Sequence, residues 1–141
     1  MIYDVMNAVK EVLTNVTELE AIFIGIPEAP LEDKKHIATI CFTESDEEKY
    51  VTRGSRISFT VSVMVVSRLS DLITDYKAHI DLLEKCRTEL LKDLHSSTSK
   101  IRTAMNMRGD YSGIAMSLVM PPEGREGIMI HEIGLRLYYL E

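Results

Sequence analysis

The segment Arg56–Ser67, RISFTVSVMVVS, alternates apolar and small polar side chains, and helical spacing follows it at once, from about Asp71 to Leu94. Ile57, Phe59, Val61, Val63 and Val65 fall on one side of a strand, while Ser58, Thr60 and Ser62 let the first half of the other side meet water. A period of two that gives way directly to a period of 3.6 restricts the chain to layered solutions. Helices cover one side of a sheet, and the other side and its margins are left for a partner.

The remaining elements fit that frame. Ile2, Val5, Met6, Val9, Val12, Leu13 and Val16 form one stripe, which predicts a core-facing helix over 2–18. Residues 20–26, EAIFIGI, read as a short strand that Pro27 and Pro30 terminate. Residues 36–43, HIATICFT, form the next strand, and the acids after it predict a loop or protruding hairpin over 44–55. The helix after the long strand starts at Ser70 or Asp71, with an apolar stripe of Ile73, Tyr76, Ile80, Leu83, Cys86, Leu90 and Leu94. Ile101–Met107 alternates like a strand, Arg108–Gly113 carries turn chemistry, and Ile114–Met120 is a further strand. Pro121, Pro122, Gly124 and Gly127 mark a turn before a last strand over Ile128–Leu140. The fold class expected is α+β: a mainly antiparallel sheet with two amphipathic helices on one face, in a single domain spanning 1–141.

At 141 residues the chain is long enough to bury a core without staples. A formal charge of −6 opposes broad binding to nucleic-acid phosphates, although it suits a protein past which DNA must slide. Two cysteines, Cys41 and Cys86, are too few for a disulfide framework and read as buried free thiols in a reducing compartment. Asp4 and Glu11 interrupt the first apolar stretch, so no signal peptide is expected, and no apolar run has the length of a membrane span.

The chain shows little chemistry of its own. His36, His79, His95 and His131 are scattered over a strand start, a helix, a loop and a late strand, without ligand spacing, so no metal site is expected. His79 reads as a surface or boundary residue. Cys41 is a nucleophile only if His36 or His131 folds against it, and nothing nearby supplies the positive surroundings that activate a thiol. Nucleophile elbow, phosphate loop and dinucleotide fingerprint are all missing. No enzyme, no catalytic residue and no cofactor is therefore expected. The acidic run Glu44–Glu48 is either a solvated loop or the wall of a channel or charged contact. Met105, Met107, Met116, Met120 and Met129 are either core filler or an adaptable subunit contact.

The order helix, short strand, strand, charged hairpin, long strand, helix, closing strands resembles the tail terminator and tail-completion proteins of long-tailed bacteriophages, including the head–tail joining proteins. The likeness rests on the stripe Ile2–Val16, the strand Arg56–Ser67 and the helix DYKAHIDLLEKCRTELLKDL. It implies a virion structural protein, made in the host cytoplasm, that forms a homo-oligomeric ring, usually a hexamer. Such a ring caps the tail tube, docks to head–tail connector proteins and lets genome DNA pass without sequence-specific binding; no membrane is involved. Under that resemblance, subunit or tube contacts fall on Glu44, Asp46, Glu47, Glu48, Lys49 and Arg53 of the hairpin. Arg56, Arg108, Asp110 and Tyr111 complete the set. The four acids Glu44, Asp46, Glu47 and Glu48 are also the candidates to face the lumen. A rival of another class is a small ligand-binding or regulatory domain with a pocket between helices and sheet. Another neck or tail component of the same fold is a nearer alternative.

Overall fold

A computed structural model describes residues 1–25, 33–49, 54–71, 73–120 and 127–140. The turns expected around Pro27, Pro30, Pro121 and Pro122 and residues 50–53 of the expected loop or hairpin lie outside the described residues. The elements run α1 (Ile2–Leu13), β1 (Ala21–Ile24), β2 (His36–Lys49), β3 (Ser55–Arg68), α2 (Thr74–Leu94), α3 (Lys100–Ala104), β4 (Gly109–Met120) and β5 (Ile128–Leu140). The strands form one sheet in the order β1-β2-β3-β5-β4. Only β1 and β2 pair in parallel, and the remaining pairings are antiparallel. The class is α+β, as the sequence predicts.

Alternation along β3 does what it predicts. Phe59, Val61, Val63 and Val65 are fully buried beneath the helices, together with Ala38 and Ile40 of β2 and Ile133, Leu135 and Leu137 of β5. From above, α1 contributes Val5, Val9, Val12 and Leu13, and α2 contributes Leu82, Leu83, Cys86, Leu90 and Leu94. All helices thus share one face. The other face is not uniformly wet: Ile37 and Val66 are buried there among half-buried Ala21, Phe23, Met64, Ile128 and Ile130. Beyond that apolar half come Thr60, Ser62, Glu132 and Arg136, tied by Ser62 Oγ donating to Glu132 at 2.8 Å and Arg136 donating to Thr60 Oγ1 at 3.0 Å.

Several boundaries differ from the sequence reading, each for a physical reason. The first helix stops at Leu13, not 18, because tighter i→i+3 bonds (Asn15 to Val12, Val16 to Leu13) take over. Val16 still seals the core. Of the two options for 44–55, the described part follows the hairpin: after a bulge between Phe42 and Glu44 the stretch 44–49 stays paired with β3 as far as Lys49 opposite Ser55.

The segment 101–107 is not a strand. Ser99 caps α3 by accepting the Arg102 amide, and Ile101 and Met105, four apart, are both fully buried. Asn106 and Met107 then take positive φ (56° and 58°) and redirect the chain into β4. The expected turn at 108–113 is absorbed into that strand from Gly109 onward.

The buried stripe of α2 is also rotated in its first turns. Asp71 Oδ1 accepts the amides of Ile73 and Thr74, as a capping residue should. Yet Ile73 is 86% exposed and Tyr76 47%, while Asp75 and His79 face inward. His79 is fully buried, contrary to the surface or boundary position expected. Polar partners on β3 and just before β2 explain the rotation. Asp75 meets Lys35 Nζ at 2.7 Å, and His79 meets Ser67 Oγ at 2.6 Å.

Candidate interaction surface

The residues singled out for contacts gather at one end of the sheet. Arg56 lies opposite Leu140, whose amide donates to the Arg108 carbonyl, and Gly109 pairs with Tyr139. The β2–β3 hairpin and the 108–111 segment therefore share that end, although half the chain separates them. Arg53 lies outside the described residues.

The bulge in β2 decides where the acids point. With Thr43 left out of the register, Glu44 falls opposite Thr60 and Asp46 opposite Ser58, on the face away from the helices, and the backbone of Glu48 pairs with that of Arg56. Glu47 and Lys49 occupy the alternate positions. Glu44, Asp46 and Glu47 are exposed. Glu44 is not a free acid, because Arg136 and Thr60 both donate to its Oε1. Next to that pair the Arg56 guanidinium stacks 4.2 Å over the Tyr138 ring. The surface is a mixed ladder of acids and arginines.

Of the second group, Arg108 is exposed, and Asp110 uses Oδ1 to accept the Tyr111 amide at 2.8 Å. Tyr111 is turned toward the helices, its hydroxyl 2.8 Å from Nε2 of His95 at the end of α2. That bond anchors the start of β4 to the helical layer.

The two margins of the sheet differ. Along β4, no residue from Tyr111 to Met120 carries a charge, and Met116, Leu118 and Val119 are 43%, 51% and 47% exposed. Two bulges, at Tyr111/Gly113 and Leu118/Met120, bend this margin. On the other side β1 covers β2 only from Ile37 to Ile40, so the acidic half of β2 is also a margin. The methionines divide accordingly: Met105 and Met129 are core, whereas Met107 and Met116 are exposed. The exposed margin was latent in the sequence as a long stretch without a charge, a signal the strand assignment alone does not use.

The register separates the residues of the thiol alternative. Cys41 occupies the face away from the helices, whereas His36 and His131 lie on the helix side, opposite Ser67 and Val65. Cys41 is only half-buried, against expectation; Cys86 is fully buried, and burial, with the Glu18 charge, pushes its thiol up to about 12. An open groove of about 550 Å³ runs between the 15–18 segment and α2, lined by Glu18, Asp81, Glu84, Lys85 and Glu89 among others. There the Lys85 ammonium lowers the Glu18 carboxyl and Glu18 raises Lys85 in return. Among the described residues no cluster of His, Cys, Asp or Glu has metal-binding geometry, and no helix is long and apolar enough to cross a membrane.

No protein-family model and no curated protein sequence matches the chain. Its fold is similar to that of a chain in the virion of a native gene transfer agent particle, with a TM-score of 0.54 and 12% identity over 99% of this chain and 92% of that one. A second solved structure, the sheath/tube terminator of an extracellular contractile injection system in the extended state, aligns with a TM-score of 0.43 and 12% identity. This chain spans 57% of that terminator's length.

Proposed function

We propose that this protein is a virion structural component of the tail-terminator or head–tail joining type. Its copies join head to tail into a closed ring, a hexamer, that caps the tail tube and meets the head–tail connector. Genome DNA passes through the hole without sequence-specific contact. The protein needs no cofactor and carries out no reaction.

The outer margin of β4 carries this reading. Soluble monomers guard a free strand edge with charge, proline or a covering loop, because a bare row of amides and carbonyls is a template for another chain. Here the strand is long and uncharged from Tyr111 to Met120, with Met116, Leu118 and Val119 in water. Its bulges bend the edge without supplying a charge. The opposite margin is short along β1 and acidic along β2, so joining unlike margins is a heterologous contact, the kind that makes a ring when the rotation between neighbours closes. Glu44, Asp46, Glu47 and Arg56, with Arg108 and Asp110 at the same end of the sheet, are placed to meet a neighbour or the tube. The full-length likeness to a gene transfer agent virion chain supports a virion setting. It also favours a second reading, another neck or tail component of the same fold, since that likeness names the particle and not the station within it.

Light scattering and electron microscopy of the purified protein, alone and with tail-tube protein, test the proposal. Rings with a central hole are expected, and Leu118→Lys is expected to return the protein to monomers with its fold intact. A protein that stays monomeric at high concentration, with and without the tube protein, overturns it.

A further inference from the structure

Three of the four histidines, scattered in sequence, meet in space. Ser67 Oγ lies 2.7 Å from His36 Nδ1 and 2.6 Å from His79 Nδ1, and His79 Nε2 lies 2.9 Å from His131 Nδ1. The chain His36–Ser67–His79–His131 thus links β2, β3, α2 and β5. Its two middle members are fully buried, and its two end members are half-buried.

Donor arithmetic restricts what this chain can do. A neutral imidazole has one donor and one acceptor nitrogen, and a hydroxyl has one hydrogen to give. Every link, and the Ser67 hydrogen with it, is satisfied within the chain only if all donors run one way, from His36 to His131 or back. A proton added to the outer nitrogen of His36 fits the first direction, and one added to His131 fits the second. With both ends protonated, both Nδ1 atoms donate inward. The Ser67 hydrogen then has no acceptor in the chain, or His79 and His131 face each other donor to donor. A proton on His79 itself keeps the links but places a charge where nothing compensates it.

The charged neighbours are unequal to that task. On α2, the Asp75 carboxylate is committed to Lys35 and to the amides of Ser70 and Asp71. Beside His36, Lys35 opposes protonation, while Glu20, Asp75 and Glu18 favour it less strongly than burial disfavours it. On β5, Glu132 belongs to the other face, where it accepts from Ser62; on β3, Arg68 alternates to that face as well. On β4, Leu118 is paired with His131 and brings no charge. Burial lowers His36 and His131, and burial with the neighbouring His131 and His36 holds His79 at about 4.

We propose that the His36–Ser67–His79–His131 chain is an acid-sensitive clasp that fastens the N-terminal half of α2 to the sheet, tolerating one proton and opening on the second. It acts whether the protein is a ring or a monomer, so it does not depend on the function assigned above.

Nitrogen NMR of the three imidazoles in the wild-type chain, between about pH 8 and pH 5, reads tautomers and titrations directly. The expected result is coupled titration: protonation of one end fixes the chain's direction and delays the other end. Hydrogen exchange at matched intrinsic rates is expected to show residues 74–82 losing about tenfold more protection than the middle of β3 over the same pH change. In Ser67→Ala the coupling between His36 and His131 is expected to vanish. Independent titration of the three rings in the wild type overturns the proposal, as does coupled titration with no selective loss of protection in α2. Neither of these readouts needs the variant to fold.

Discussion

Asp93 in the last turn of α2 accepts a 2.8 Å hydrogen bond from the hydroxyl of Ser99, and the same carboxylate takes the amides of Lys100 and Ile101 at 2.9 and 3.1 Å. Ser99 in turn accepts the Arg102 amide at 3.1 Å. One carboxylate thus ends a long helix and starts a short one. A five-residue helix has too few internal bonds to persist without such help. Asp93→Ala is expected to destabilise the protein by about 1–2 kcal/mol, with Asn recovering part of the loss. Urea denaturation of the three proteins checks this.

That relationship also explains a boundary the sequence concealed. Ile101, Thr103, Met105 and Met107 satisfy a period of two, but Ile101 and Met105 equally satisfy a spacing of four. Only the Asp93 and Ser99 caps select the helical option. Where one period dominates a long window, as in α1, β3 and β5, the elements are legible. The inward turn of Asp75 and His79 was not, because polar residues enter a core stripe only when partners from other elements meet them. Ser67 and Lys35 are distant in sequence. The positions along the hairpin were readable as a charged strand or loop, but their facing depends on one bulged residue, Thr43, that no alternation reveals.

Gly109 has no room for a side chain. A β-carbon there would collide with the Tyr138 carbonyl oxygen and lie 2.8 Å from the Met105 sulfur, whereas one at Gly113 meets nothing within 4 Å. Gly109→Ala is expected to lower stability by about 1–3 kcal/mol. Gly113→Ala should be neutral to within about 0.5 kcal/mol. Thermal melts of the two variants side by side make the comparison, and equal losses would contradict the packing at Gly109.

Acid should weaken the protein in two stages. The Asp71 amide, then Lys35 and the Ser70 hydroxyl and amide, hold the Asp75 carboxyl well below its ordinary range, against the effect of burial. The unfolded chain therefore takes up that proton first. The stabilisation is present above about pH 4 and is lost as pH falls below it. His79, depressed from 6.5 to about 4, works the same way over a higher window. The unfolded chain binds its proton between those values, so stability already declines as pH falls through 6. Denaturation midpoints measured from pH 8 to 3 are expected to show both limbs, and Asp75→Asn is expected to remove only the lower one's share.

The thiols should react in a fixed order. Cys41 is half-buried on a strand, while Cys86 is fully enclosed with its thiol pushed up to about 12. A thiol-reactive disulfide reagent at pH 8 is expected to label Cys41 in the native protein and Cys86 only after denaturant is added. Prompt labelling of Cys86 would mean that α2 opens far more readily than its packing allows.

The order β1-β2-β3-β5-β4 seats β5, which follows the other four described strands in the chain, between two made before it. When β4 leaves the ribosome it has no strand to join, and Val61, Val63 and Val65 lack the Ile133, Leu135 and Leu137 layer at their flank. A nascent chain therefore holds these apolar margins open until β5 has emerged. That interval, rather than the finished protein, is when a chaperone has most to shield.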